Sequence, residues 1–331
     1  GGYTLKKYTL RRLLQLIPVL LGIAVISFLL LHMIPGDPAT VLLGQEATPE
    51  EIERLQENLG LNDPLPVQLF NYLGSIVTFD LGTSIFRGEE VSTIILTALP
   101  ATIELAVCSL LISLIIAVPL GIIAAVRQNT FLDYFSMFFA QLGISMPVFW
   151  LGVLLIMGFS VHLGWFPSFG RGEPLTEGFI HLFTTGSFSV LFASLKHLFL
   201  PALSLGVMGS AMITRMIRST MIEVLDMDYI RTMRAGGTIE FLIVMKYAFR
   251  NALLPVITIV GLQFGNLLGG AIVTETIFGW PGLGSLVISS ISQRDFPIVQ
   301  GVVLTIALLF ALVNLIVDLL YARINPKIRH N

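Results

Sequence analysis

The chain has 331 residues, 55% of them hydrophobic and only 12% charged, with a net charge of −2 at pH 7. Soluble domains carry about 25% charged residues, so a mean hydropathy of +0.86 excludes an ordinary soluble domain, and no nucleic-acid partner is expected. A single cysteine, Cys108, excludes an intrachain disulfide.

Lys6, Lys7, Arg11 and Arg12 precede an uncharged run, Leu13–Leu31. That run is long enough to cross about 30 Å of hydrocarbon. It is too long for a signal-peptide core, and Pro35-Gly36-Asp37-Pro38 follows in place of a small-residue cleavage site. Residues 1–34 therefore read as a cytoplasmic N-terminus and a first transmembrane helix.

Residues 35–95 read as an extracytoplasmic helical insert. Thr48-Pro49-Glu50-Glu51 has the form of a capping box with proline at the first helical position. Ile52, Leu55 and Leu59 recur at helical spacing before Gly60, and a second helix starts near Pro66 with Val67, Phe70, Leu73 and Val77 on one face. Two short amphipathic helices are too little for an independent domain.

The remainder, 96–331, is a membrane core. A second span covers Leu99–Val126, with Pro119 and Gly121 inside it. A third covers Tyr134–Val161, interrupted by Pro147, and the short turn between them makes the two antiparallel neighbours. Gly164–Lys196 reads as a loop. A fourth span, His197–Thr214, leads into a polar segment over 215–252. A fifth covers Leu253–Thr274, a tight turn follows at Gly279–Gly284, and a sixth covers Ile298–Leu320. The expectation is an all-α, polytopic membrane protein with six transmembrane helices and both termini on one side. Fourteen of the nineteen Lys and Arg residues fall on the face that holds the termini, Arg127 and Arg215–Arg250. That face is cytoplasmic by the positive-inside rule.

Few residues carry chemistry. There is no Gly-x-x-x-x-Gly-Lys-Ser/Thr loop, no His-Glu-x-x-His and no Gly-x-Ser-x-Gly, and the five histidines lack ligand spacing. A catalytic site, a cofactor or a metal held by this chain is not expected. Glu104, Glu275 and Asp318 lie at span ends, so no acid sits at mid-membrane where an ion-driven carrier needs one. A secondary transporter predicts uptake that collapses with the ion gradient. A scaffold predicts no substrate movement. An energy source outside the membrane fits better than either.

The polar island Glu223–Pro255 is where that energy can enter. Tyr229–Arg234 and Ile239–Lys246 have helical character on either side of Gly236-Gly237. Their apolar residues, Ile230, Met233, Phe241, Leu242 and Met245, are too many for a solvated loop. A helix–glycine–helix elbow of this kind suits insertion into a partner's groove.

Asp228-Tyr229-Ile230-Arg231-Thr232-Met233-Arg234-Ala235-Gly236-Gly237, followed by Arg250–Val256, resembles the coupling loop of membrane subunits of ATP-binding-cassette importers. It is most similar to the first permease subunit of the dipeptide/oligopeptide/nickel family. On the Gly237 register, Arg231, Thr232 and Met233 stand where the general pattern has Glu-Ala-Ala. Relative to the peptide branch the chain departs at Met233 and Gly236. Other stretches match the family in order: Arg11-Arg12-Leu13, His32–Pro38, Leu59–Pro64, Asp80-Leu81-Gly82, Leu99–Thr102, Trp280–Gly284, Arg294-Asp295 and Asn325–Arg329.

The resemblance implies a type I importer architecture in a bacterial cytoplasmic membrane. It further implies a second homologous permease as heterodimer partner, two cytoplasmic ATPase subunits that bind ATP and Mg, and an extracytoplasmic binding protein. Asp228, Tyr229, Arg231, Thr232, Arg234, Ala235, Gly236 and Gly237 would form the coupling loop. Ser145, Pro147, Gln263, Asn266, Glu275, Trp280 and Pro281 are candidates for the translocation path or its gate. Gly269 and Gly270 share the Gln263–Asn266 stripe. Pro119, Pro147 and Pro255 are candidate hinges. The cargo this resemblance implies is a di- or oligopeptide, with nickel or a metal chelate as the alternative.

Overall fold

In the computed structural model the described residues are 2–33, 39, 43, 47–58, 60–78 and 80–324. Leu59, residues 34–38 of the His32–Pro38 motif and the Asn325–Arg329 motif lie outside them.

Among the described residues the chain is helical, apart from an isolated bridge between Thr83 and Glu90. Helix α1, Gly2–His32, carries the apolar stretch Leu13–Leu29. The insert follows, with α2 at Pro49–Asn58 and α3 at Leu65–Val77. The capping box forms. The Thr48 amide and hydroxyl both donate to Glu51 Oε2 at 2.9 Å, and the Glu51 amide donates to Thr48 Oγ1 at 3.4 Å. Those bonds, the backbone one first, hold the Glu51 carboxyl below its ordinary range. The cap is therefore fully present above the usual glutamate pKa and is lost as pH falls through the lowered one. In α3 the Val67, Phe70 and Val77 face is exposed. The helix instead reaches α1 through Tyr72, whose ring stacks on Phe28 at 5.5 Å.

The core follows in order: α4, Val91–Val126; α5, Phe131–Ser145; α6, Val148–Leu155, running on as a π-helical turn to His162; α7, Leu175–Thr185; and α8, Ser189–Leu225. After these come α9, Asp228–Ala235; α10, Glu240–Leu242, with a π-helical turn to Ala248; α11, Phe249–Gly270; α12, Ile272–Ile277; α13, Leu283–Gln293; and α14, Phe296–Ile324. Among the described residues, four segments are long and apolar enough to cross a membrane: Val91–Val126, Ser189–Leu225, Glu240–Gly269 and Phe296–Leu320.

The third expected span is not straight. α5 and α6 meet at 103°. Pro147 lacks an amide hydrogen and pushes the residue before it out of helical space. Met146 accordingly sits at φ −80°, ψ 129°. At Pro119 and Pro255, by contrast, the helices run on through the proline. The expected loop Gly164–Lys196 is also corrected. Its second half folds as α7 and the first turns of α8, with Gly186 closing α7 in the left-handed region at φ 70°.

α4 and α8 make the central contact, and small residues explain it. A Cβ on Gly206 would overlap Ile112, and one on Gly121 would overlap Ile217. Ser113 Oγ donates to Gly206 O at 2.9 Å across the pair. Close backbone approach is how apolar helices associate when lipid is as apolar as they are. These contacts run in step along both helices, so α4 and α8 are parallel. α5 lies antiparallel to α8, with Gly143 beside Val207 and Asp133 beside Arg218. α11 and α14 are antiparallel too, pairing Gly261 with Val317, Gly265 with Phe310 and Gly269 with Ile306. Gly269 is thus a helix-packing residue.

Asp133 pins the start of α5. It is 1% exposed, accepts from Arg218 Nε at 2.6 Å and Nη2 at 2.8 Å, and takes the Asn129 amide at 3.0 Å. Arg215, one turn before Arg218 on α8, reaches Gln141 of α5. Asp133→Ala leaves a partly buried guanidinium unpaired, which costs ~2 kcal/mol. A lowered melting temperature in detergent is the expected result; an unchanged one contradicts the pinning role.

Candidate functional site

The elbow is built from the glycine pair outward. α9 ends at Gly236, and Gly237 takes φ +77°. That conformation costs an L side chain roughly 1–2 kcal/mol and glycine nothing. The turn is closed by three amides: Gly236 N–H to Thr232 O at 2.9 Å, Gly237 N–H to Arg234 O at 3.0 Å and Thr238 N–H to Met233 O at 3.1 Å. Arg234 then forks across the turn to Glu240, Nε to Oε2 at 3.1 Å and Nη2 to Oε1 at 2.7 Å. On the inner side, Asn251 Nδ2 donates to Tyr229 Oη at 2.8 Å and ties α9 to α11.

Ile230 anchors the elbow. It is fully buried among Ile213, Ile217, Met221, Ile243 and Ala248, with Met233 packed on the same cluster. These two residues are therefore not part of a free apolar surface, because the chain's own helices take them up. What remains outward is Asp228, Arg231, Thr232, Arg234, Ala235, Gly236 and Gly237, all exposed, with Tyr229 half-buried. Ile239 and Phe241 flank them at 68% and 71% exposure. The structure therefore brings all eight expected residues into one corner. Glu240 and Asn251 are partners the sequence reading did not single out. Their signal was an acid and an amide flanking a glycine break, which many solvated loops share.

The two glycines are not equivalent. Gly236 has φ −79°, and a Cβ there meets Thr232 O at 3.4 Å, an ordinary contact. Gly236→Ala is expected to change stability by less than ~0.5 kcal/mol and to leave coupling intact, read as ATP-driven uptake. A large loss would contradict this geometry.

The second group lies at the far end of the bundle. Glu275 of α12 is fully buried. Its carboxylate accepts from Thr102 Oγ1 at 2.8 Å and the Ser285 amide at 3.0 Å. Thr102 in turn accepts the Leu283 amide at 2.8 Å. Together Glu275 and Thr102 satisfy two of the otherwise open amides at the start of α13. Gly282 is required by this arrangement, since a Cβ there would overlap the carboxylate. Trp280, 1% exposed, donates Nε1–H to Ala101 O at 2.8 Å. Pro281, like Gly279 at the start of the turn, is exposed.

The other path candidates are placed apart from this group. Ser145 and Pro147 are exposed at the α5–α6 corner, where Gln141 donates to Ser145 Oγ at 3.2 Å. Gln263 is half-buried on α11. Asn266 belongs to an exposed stripe of that helix with Asn251, Pro255, Thr258 and Leu262. Among the described residues no group of three or more His, Cys, Asp or Glu side chains could hold a metal ion.

Apolar helices long enough to cross a membrane, packed through small residues, define a polytopic membrane protein. Two family descriptions match the chain: the N-terminal region of the binding-protein-dependent transport system membrane component over residues 5–106, and the binding-protein-dependent transport system inner membrane component over residues 117–330. The chain belongs to that family. Among its relatives, the dipeptide transport system permease protein DppB of Alkalihalophilus pseudofirmus is 46% identical over 330 residues, covering 98% of this chain and 99% of the relative. The protein of the same name from Escherichia coli strain K12 is 42% identical over 336 residues. The glutathione transport system permease protein GsiC of Pectobacterium atrosepticum is 43% identical over 323 residues, again covering 98% and 99%. The fold is similar to a chain of the MetNI methionine ABC transporter in an inward-facing conformation, with a TM-score of 0.56 over 71% of this chain and 97% of that one, at 17% identity. The chain is thus a non-enzymatic, multi-pass permease of the inner membrane that works with other transporter subunits.

Proposed function

We propose that this chain forms half of the translocation pathway of an ATP-driven importer of short peptides. Its partners are a second related permease, two cytoplasmic ATPases carrying ATP and Mg, and an extracytoplasmic binding protein that delivers the cargo. The substrate class rests on the dipeptide and glutathione permeases among its relatives. The energetic role rests on one observation: the exposed corner Asp228–Gly237 is tied to the helices behind it by Ile230 and Tyr229–Asn251 and closed by the Arg234–Glu240 fork.

In this reading α1 is the first of six spans, both termini are cytoplasmic, residues 35–95 are extracytoplasmic and 215–252 meet the ATPases. Closure of the ATPases around ATP pushes the corner, which is rigid enough to pass the displacement to α8 and α11. The free energy comes from contacts that differ between the two states. Pro147, at the bend, is the hinge that absorbs it. The exposed stripe of α11 with Asn266 faces the second permease and the path.

Proteoliposomes holding the whole transporter test this. Uptake of a labelled dipeptide should require ATP inside the vesicle on the ATPase side and survive ionophores. Uptake that persists without ATP and collapses with the ion gradient would restore the secondary-transporter reading.

A further inference from the structure

Among the described residues, Glu275 is one of two fully buried carboxylates at this end of the bundle, and the second has the same job. Asp295, between α13 and α14, is fully buried. It accepts from Ser84 Oγ at 2.5 Å, the Ile85 amide at 3.2 Å and the Phe86 amide at 3.3 Å. Ser84, itself 3% exposed, also accepts the Arg87 amide at 2.9 Å. Neither Glu275 nor Asp295 forms an ion pair among the described residues. Each instead accepts from at least one donor far away in sequence, 173 residues for Thr102 and 211 for Ser84.

The two carboxylates bracket α13. Glu275 meets its first turn, and Asp295 lies two residues past its end. Between them an apolar seam closes, in which Val91, Ile94 and Ile95 of α4 are buried against Leu283, Leu286 and Val287 of α13 and Ile298 and Val302 of α14. A seam of aliphatic side chains is slippery by itself, since its energy depends on area and not direction. Hydrogen bonds at both ends fix its register, because a slipped lid leaves buried amides and hydroxyls without partners.

We propose that Glu275 and Asp295 are positioning residues for transport: they weld residues 82–105 to α12 and α13, so that the Gly279–Gly284 turn, α13 and the outer end of α4 move as one body. This rests on the transport reading above. It makes Glu275 and Trp280 part of a rigid unit rather than a lid that opens on its own, and it places the moving joint elsewhere, at the α5–α6 bend.

Thr102→Val and Ser84→Ala each remove one hydroxyl from one weld without touching the elbow. In the reconstituted full transporter, basal ATP hydrolysis should be unchanged, while dipeptide moved per ATP falls by ~5-fold or more. Thr102→Ser, which keeps the hydroxyl, should restore the ratio. Hydrogen exchange on the same preparations should be faster at 282–286 in Thr102→Val and at 84–87 in Ser84→Ala. Wild-type ratios and wild-type exchange in both variants overturn the weld, as does Thr102→Ser behaving like Thr102→Val. If the wild type moves no dipeptide, the transport reading fails instead, and the exchange measurements still decide whether the two segments are one body.

Discussion

Gly237→Pro is expected to abolish coupling while the chain still inserts. Proline fixes φ near −65° and has no amide hydrogen. Gly237 sits at φ +77° and donates its amide to Arg234 O. The elbow then cannot form as it stands, a cost of ~3 kcal/mol or more. The loss is local, because Gly237 is exposed and a Cβ there meets nothing within 4 Å. ATP-driven uptake should fall by more than ~10-fold, while membrane insertion and basal ATP hydrolysis by the partner subunits persist. Gly237→Glu adds only left-handed strain of ~1–2 kcal/mol plus a charge on the outward face, so its loss should be smaller. Unchanged uptake in the proline variant would remove the elbow from the mechanism.

Gly261→Leu is expected to destabilise the helix bundle itself. Gly261, Gly265 and Gly269 recur every fourth residue, and each would place a Cβ against α14, at Val317, Phe310 and Ile306 in turn. At Gly261 even a methyl group overlaps the Val317 side chain. Overpacking of this kind costs ~1–3 kcal/mol for modest insertions, and leucine at a backbone contact should reach the top of that range. The melting temperature of the detergent-solubilised chain should drop, and Val317→Ala added to Gly261→Leu should recover part of it. Monodisperse protein with a wild-type melting temperature would show that α11 and α14 pack through another face.

Much of the membrane core was legible because lipid imposes a length rule. An uncharged run of about 20 residues is a span whatever it packs against, and Leu99–Val126 and Ile298–Leu320 fall inside α4 and α14. The elbow was legible for the opposite reason, as charge concentrated beside Gly236-Gly237. What periodicity could not see was α7. Its outward face mixes Phe179, Ile180 and Phe183 with Thr176 and Glu177, so the apolar arc is not the packed one, which runs through Gly178 against Leu191.

The long-range polar ties were invisible for a different reason. Asp133–Arg218, Thr102–Glu275 and Ser84–Asp295 join residues 85, 173 and 211 positions apart. Nothing in local composition links such pairs. Glu275 reads as a helix-end charge at an interface, yet it is a buried acceptor that caps another helix. Ile230 and Met233 read as a partner's contacts because a polar island gives no sign that its apolar residues turn back into the core.

The most direct test of the elbow as the point of energy input is a cross-link. With Cys108→Ser removing the native thiol, Ala235→Cys places a reactive group on the exposed face beside Gly236-Gly237. In the assembled transporter, Ala235→Cys should cross-link to an ATPase subunit, and the yield should change between nucleotide-free and ATP-trapped states. A control thiol at the opposite end, Pro281→Cys, should give no such adduct. If Ala235→Cys forms no ATPase adduct in any nucleotide state while the complex still transports, the elbow is not where ATP acts.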